Sequence, residues 1–127
     1  MGKYLGSAFS LQMIPSGGLV RFTKLGWEGF RYRVTESITK HSIVGHEGTA
    51  DWLSRALGFK VPVSRESISL EVWDTLYVAQ PVGRRLEVGE EIPASQHQLA
   101  ERMAFFQIVV LPKTAPEIWD GEERTIS

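Results

Sequence analysis

In the stretch Ile43-Val44-Gly45-His46-Glu47-Gly48-Thr49, one histidine stands between two glycines, just ahead of a helix-like run. Glycines at 45 and 48 let backbone approach closely, and a helix starting near Glu47 to Thr49 presents amide N–H groups without intrahelical acceptors. Such a terminus attracts phosphate oxygens through hydrogen bonds and the helix dipole. The same dipole disfavours imidazolium in the empty site, whereas a bound phosphate favours the proton. His46 therefore suits a general acid that charges only when an anion is present. The same spacing also suits a loop histidine that caps or fills the helix start.

Arg65 precedes an alternating segment, and Arg84-Arg85 opens a glycine-containing loop. A guanidinium at a strand end offers planar paired donors and keeps its charge, which suits phosphate. Solvated surface charge explains the same residues, and Glu87, Glu90 and Glu91 are close enough in sequence for a local ion-pair network. Ser10 is read either as a donor to phosphate or as a turn residue. His41 is placed at a helix edge and His97 on a polar surface. There is no phosphate-binding loop with lysine, no GxGxxG and no GxSxG, and the three histidines lack the local spacing of a zinc site.

The elements that must position these groups read as one domain of mixed α/β or α+β class, with a mixed sheet flanked by helices. Strands are expected at Lys3–Leu11, after which Pro15–Gly18 turns the chain, and at Leu19–Leu25. A helix is expected over Trp27–His41, from Val34, Ile38 and His41. A second follows Gly45-His46, with Ala50, Leu53, Ala56 and Leu57 on one face and Gly58 as its stop. Strict alternation in Ser67–Trp73, followed by Leu76–Pro81, reads as a hairpin. Gly83–Glu91 reads as a loop, Gln96–Met103 as a short helix and Ala104–Leu111 as a central strand. Residues 1–111 make the domain; 112–127 are expected to be a partly disordered tail, with Trp119 as the tail residue that docks.

The chain has 127 residues, 43% hydrophobic and 23% charged, enough for one buried core. Cysteine is absent, which excludes disulfides and thiolate metal sites. The net charge of −1 lacks the basic signature of a protein that coats duplex DNA, yet leaves room for a small anion held by a few cations. No early apolar run suggests a signal peptide or membrane span, so a soluble cytoplasmic protein is expected.

Four blocks together resemble a known family: YLGSAFSLQMI (Tyr4 to Ile14), IVGHEGTADWLSRALG (Ile43 to Gly58), SRESISLEVWDTLYVAQ (Ser64 to Gln80) and RRLEVG (Arg84 to Gly89). They resemble the viral ring nucleases, small anti-CRISPR proteins that destroy cyclic tetra-adenylate, over about Tyr4 to Leu111. The resemblance implies a homodimer that binds the cyclic nucleotide across its interface, without metal or cofactor. It implies attack of a ribose 2′-hydroxyl on the adjacent phosphate, giving linear di-adenylate with a 2′,3′-cyclic phosphate and silencing type III CRISPR signalling. By position, His46 matches the catalytic histidine, Arg85 the catalytic arginine, Arg65 a ligand-binding arginine and Ser10 a serine near the nucleotide. Ser7, Gly45, Thr49 and Arg84 complete the expected ligand contacts.

Two departures stand out. Ser7 replaces an asparagine common in the family. The family motif R-L-x-E-G is Arg85-Leu86-Glu87-Val88-Gly89 here, so Val88 occupies the catalytic glutamate position and Glu87 lies one place early. In an extended segment that shift would point the carboxylate to the opposite side; in an irregular loop it could still reach. Two other readings are a protein that sequesters the cyclic nucleotide with little or no cleavage, and a small DNA-binding or scaffold protein.

Overall fold

The computed structural model describes residues 2–14, 18–37, 41–92, 96–112 and 123–126. Strand β1 (Lys3–Gly6) lies between β3 (His41–Ile43) and β4 (Thr75–Pro81), parallel to both. Next to β4, antiparallel, runs β5 (Met103–Leu111), followed by β2 (Gly18–Leu25) and β6 (Glu123–Ile126). The six-stranded order is β3-β1-β4-β5-β2-β6. This is a single α+β domain with a mixed sheet, as expected.

Among the described residues three α-helices, α1 (Trp27–Glu36), α2 (Glu47–Leu57) and α3 (Gln96–Arg102), accompany the sheet. Strand alternation sends Leu5, Tyr77, Ala79 and Phe105 to one face, where they meet Phe30 and Val34 of α1 and Trp52 and Leu53 of α2. Phe30, Val34 and Leu53 are wholly buried, each such side chain contributing about 1.5–3 kcal/mol of apolar burial. Trp27, Phe30, Trp52 and Phe105 form an aromatic cluster, with Phe30 and Phe105 centroids 4.8 Å apart. On the opposite face Leu76, Val78, Ile108 and Val110 are covered by Ile14 and Leu70, from the segments after β1 and before β4.

The α2 reading holds: the helix starts at Glu47, and Gly58 closes it at φ 84°, a left-handed conformation that glycine adopts without a Cβ penalty. Elsewhere tertiary context overrode local pattern. The first helix stops at Glu36, and His41, expected at its edge, begins β3 instead; Ile38 lies outside the described residues. Three residues are too few to show a period of two, and β3 is defined by its pairing with β1. The expected first strand is similarly shortened to Lys3–Gly6.

The hairpin does not form. β4 is bordered by β1 and β5, so no edge remains for Ser67–Trp73. That segment packs on the second sheet face through Ile68 and Leu70, and Leu70 N–H donates to the Met13 carbonyl (2.7 Å). It ends in a tight turn around Trp73 (φ 71°), fixed by the Asp74 carboxylate, which accepts from the amides of Gly2 (2.6 Å) and Glu71 (2.8 Å). In the expected tail, residues 123–126 return as strand β6 beside β2; Trp119 lies outside the described residues.

Parallel strands all end at the same edge of a sheet. Gly6 is level with Ile43 and Val78, so the chain leaves β1 through Ser7 and β3 through Gly45-His46 at one rim. Open sheets with helical crossovers bind ligands at that carboxyl end.

Candidate functional site at the ends of the parallel strands

His46 occupies the N-cap of α2 with extended backbone (φ −120°, ψ 127°), and its side chain makes no capping hydrogen bond. Its carbonyl accepts the Ala50 amide (3.0 Å), so the helix starts without the imidazole. The imidazole therefore does not cap the helix. Burial, then the Arg85 charge, then the Arg65 charge hold its pKa below that of an ordinary histidine. The shift favours neutral imidazole, the direction the sequence suggested, although the causes are desolvation and two guanidiniums rather than the helix dipole invoked there.

Arg65 reaches the site because the chain after Val61 runs alongside the exit of β3. Ser64 N–H donates to Val44 O (2.9 Å), and Ser42 Oγ donates to Pro62 O (2.7 Å). This places Arg65 Nε on the Gly45 carbonyl (3.0 Å) and leaves further guanidinium donors for a ligand. A Cβ at Gly45 would lie 3.6 Å from Arg65 Cγ, an ordinary contact, so Gly45 is not held to glycine by space. Gly48 is. A Cβ there would come within 1.8 Å of the Leu86 carbonyl oxygen, so only glycine lets the residue after Arg85 lie against the first turn of α2.

The adjacent arginines differ sharply. Arg84 binds both oxygens of Glu90 (2.9 and 3.1 Å), the ion-pair role that its acidic neighbours suggested. Arg85 is exposed, and no ion pair to it exists among the described residues; its field falls on His46. Glu87 donates its amide to Glu90 Oε1 (3.0 Å) and accepts the Glu90 amide on its carbonyl (3.0 Å). The segment is thus a turn rather than a strand, and alternation does not govern its side chains. The Glu87 carboxylate acts on Arg84 rather than on His46. Val88 is 63% exposed.

Asp51, which sequence reasoning missed, ties this loop to α2. Its Oδ2 accepts from Gly89 N–H (2.8 Å) and from Arg55 (2.8 Å), and these bonds hold its carboxyl below the usual range. The Asp51/Arg55 spacing of four was the available signal. Ser7 is buried at the end of β1, while Ser10 Oγ accepts the Gln12 amide (3.2 Å) and caps a single 3-10 turn over Leu11–Met13. Thr49, fully buried in the first turn of α2, has a hydroxyl with no hydrogen-bond partner among the described residues, a cost of about 1–3 kcal/mol.

His41 lies apart from the α2 start, in contact with Glu66 and 5.0 Å from the Tyr4 ring. The His97 side chain lies outside the described residues. Among the described residues no group of three or more His, Asp or Glu could hold a metal ion, and no helix is long and apolar enough to cross a membrane.

Comparison with the curated proteins gives no significant match. The solved structure of B116 of Sulfolobus turreted icosahedral virus superimposes with a TM-score of 0.68 at 20% identity, covering 86% of this chain and 99% of that one. At that identity the likeness concerns the fold. The STIV B116-like sequence profile matches residues 3–106, which span β1 through the first four residues of β5 and include His46, Arg65 and Arg85. The chain therefore belongs to the STIV B116-like family.

Proposed function

We propose that the protein is a metal-independent ring nuclease that binds cyclic tetra-adenylate between two copies of itself and cuts it into linear di-adenylate. The observation that carries this reading is the placement of His46: at the start of α2, free of capping duty, in the field of Arg85 and Arg65. The resemblance of the sequence blocks to viral ring nucleases supplies the substrate.

A ribose 2′-oxygen attacks the adjacent phosphorus, the bond to the 5′-oxygen breaks, and a 2′,3′-cyclic phosphate results. The 2′-hydroxyl proton leaves to solvent, and His46 delivers a proton to the departing 5′-oxygen. General-acid help of this kind is worth ~10²–10⁴ in rate. The substrate provides its own nucleophile, so the enzyme's tasks are in-line positioning and charge stabilisation. Arg85 and the amides of Glu47, Gly48 and Thr49 face the developing charge, Arg65 holds a phosphate, and Ser7 and Ser10 orient the ring. Bound phosphate raises the His46 pKa that burial and the two arginines depress, so the acid charges as substrate arrives.

A ring of four identical nucleotides has a two-fold axis that can coincide with that of an isologous dimer. Two His46 side chains then meet opposite phosphates. A slightly acidic chain thereby gathers paired arginines against four ligand charges.

The second reading, sequestration of the nucleotide without cleavage, is favoured by the exposed Val88 at the family's glutamate position. Single-turnover incubation of excess protein with cyclic tetra-adenylate in a chelator, followed by chromatography, separates the two. Linear di-adenylate is expected; recovery of intact ring from a bound complex would establish sequestration, and no binding would sink both.

A further inference from the structure

We propose that Glu90 is a positioning residue, a clasp that closes the 84–90 loop on itself and on two helices so that Arg85 stands beside His46. Its catalytic consequence rests on the ring nuclease reading; the clasp itself does not.

Both carboxylate oxygens of Glu90 are occupied from both sides of Arg85. Arg84, which precedes Arg85, takes Oε1 and Oε2 (2.9 and 3.1 Å), and the Glu87 amide, which follows it, takes Oε1 (3.0 Å). Arg84 also donates to the Arg85 carbonyl (3.1 Å), so Arg85-Leu86 is enclosed in a ring of hydrogen bonds.

That ring is fastened to the body of the protein. Arg102, at the end of α3, bridges Glu90 Oε2 (2.9 Å) and the Val82 carbonyl (3.0 Å). Arg55 of α2 donates to the Glu90 carbonyl (2.7 Å), and Asp51 holds Gly89 (2.8 Å). Glu90 is 16% exposed where Arg84 is 64% exposed, so the carboxylate is the sheltered centre of the network. Bidentate arginine in a network is the geometry in which surface ion pairs matter. Arg84 and Arg102 hold the Glu90 carboxyl at about 2, so the clasp stays charged at neutral pH. The division of labour explains the adjacent arginines: one is consumed in closing the loop, and the other is left uncompensated for an anion.

The free protein provides the decisive test. The His46 imidazole is followed by NMR through a pH titration in wild type, Glu90→Gln and Arg84→Lys. Removing a nearby carboxylate by itself lowers a histidine's pKa, whereas releasing Arg85 from the site raises it. A midpoint that moves upward in Glu90→Gln is the expected result. Arg84→Lys keeps the charge but loses the planar fork; it should move the midpoint the same way by less, and it decides the matter alone if Glu90→Gln fails to fold. A midpoint that stays put or falls in the folded variants overturns the clasp.

Single-turnover cleavage should also slow, by up to ~10²-fold, the penalty typical of slight misplacement. Unchanged cleavage with a raised midpoint would remove the catalytic consequence. A raised midpoint in a protein whose wild type never cuts the ring would uphold the clasp and refute the nuclease.

Discussion

The two halves of the sheet are built for different work. In the parallel half, β3-β1-β4, each strand delivers its chain to the same rim, so residues far apart in sequence converge there: Ser7, His46 and, through the loop after β4, Arg85. In the antiparallel half, β5-β2-β6, successive strands leave at opposite ends and no candidate residue is present. Its contribution is burial: Ile108 is 1% exposed and Val110 is 4% exposed. Strand direction, more than residue content, decides which half can assemble a polar site.

The contrast is broken most directly at His46. His46→Ala should lower single-turnover cleavage by ~10²–10⁴ with melting and ring binding nearly unchanged. Cleavage of the bound fraction at the wild-type rate would end the acid role. Ile108→Ala, in the other half, should cost about 2–5 kcal/mol of stability, read by denaturant unfolding, and leave the rate per folded molecule intact. A specific loss of rate there would show that the halves are not separable.

Thr49 sharpens the comparison, because it violates packing rules where the site is built. Thr49→Val removes an unpartnered buried hydroxyl, so it should raise stability by about 1 kcal/mol in thermal melts. Destabilisation would mean that the hydroxyl is satisfied in solution. The pH response is smaller. His46 is depressed in the free protein, so kcat/KM should fall as pH rises through a midpoint below ~6.5, with the kcat limb displaced upward by bound phosphate. Coincident limbs would count against the substrate-induced proton. For stability the sign is opposite in consequence: a depressed histidine pKa favours the fold above the ordinary histidine value, and that contribution is lost as pH falls through the folded midpoint. Glu90 behaves likewise lower down, its contribution draining away as pH falls from the ordinary carboxylate value of 4.5 toward about 2.

The sequence made legible whatever depended on local chemistry. α2 announced itself by its apolar face and by Gly58, β5 by an apolar run broken only at Gln107, and His46 by its flanking glycines. What depended on partners stayed hidden. Ser67–Trp73 alternates like a strand but meets a β4 whose two edges are taken. β3 is defined by β1, and β6 by β2. Arg84 and Arg85 are indistinguishable as letters; only the position of Glu90 tells which is spent. The role of Asp51 likewise appears only when Gly89, 38 residues along the chain, comes down on it.

The contact between Gly48 and Leu86 makes the site a joint between two separately encoded pieces, helix and loop, that meet across a notch the width of a missing methyl group. On the nuclease reading, loss of cleavage therefore need not involve any reacting side chain. A single added carbon at the notch would meet the Leu86 carbonyl at 1.8 Å, so Gly48→Ala is expected to push the loop that carries Arg85 off the helix that carries His46.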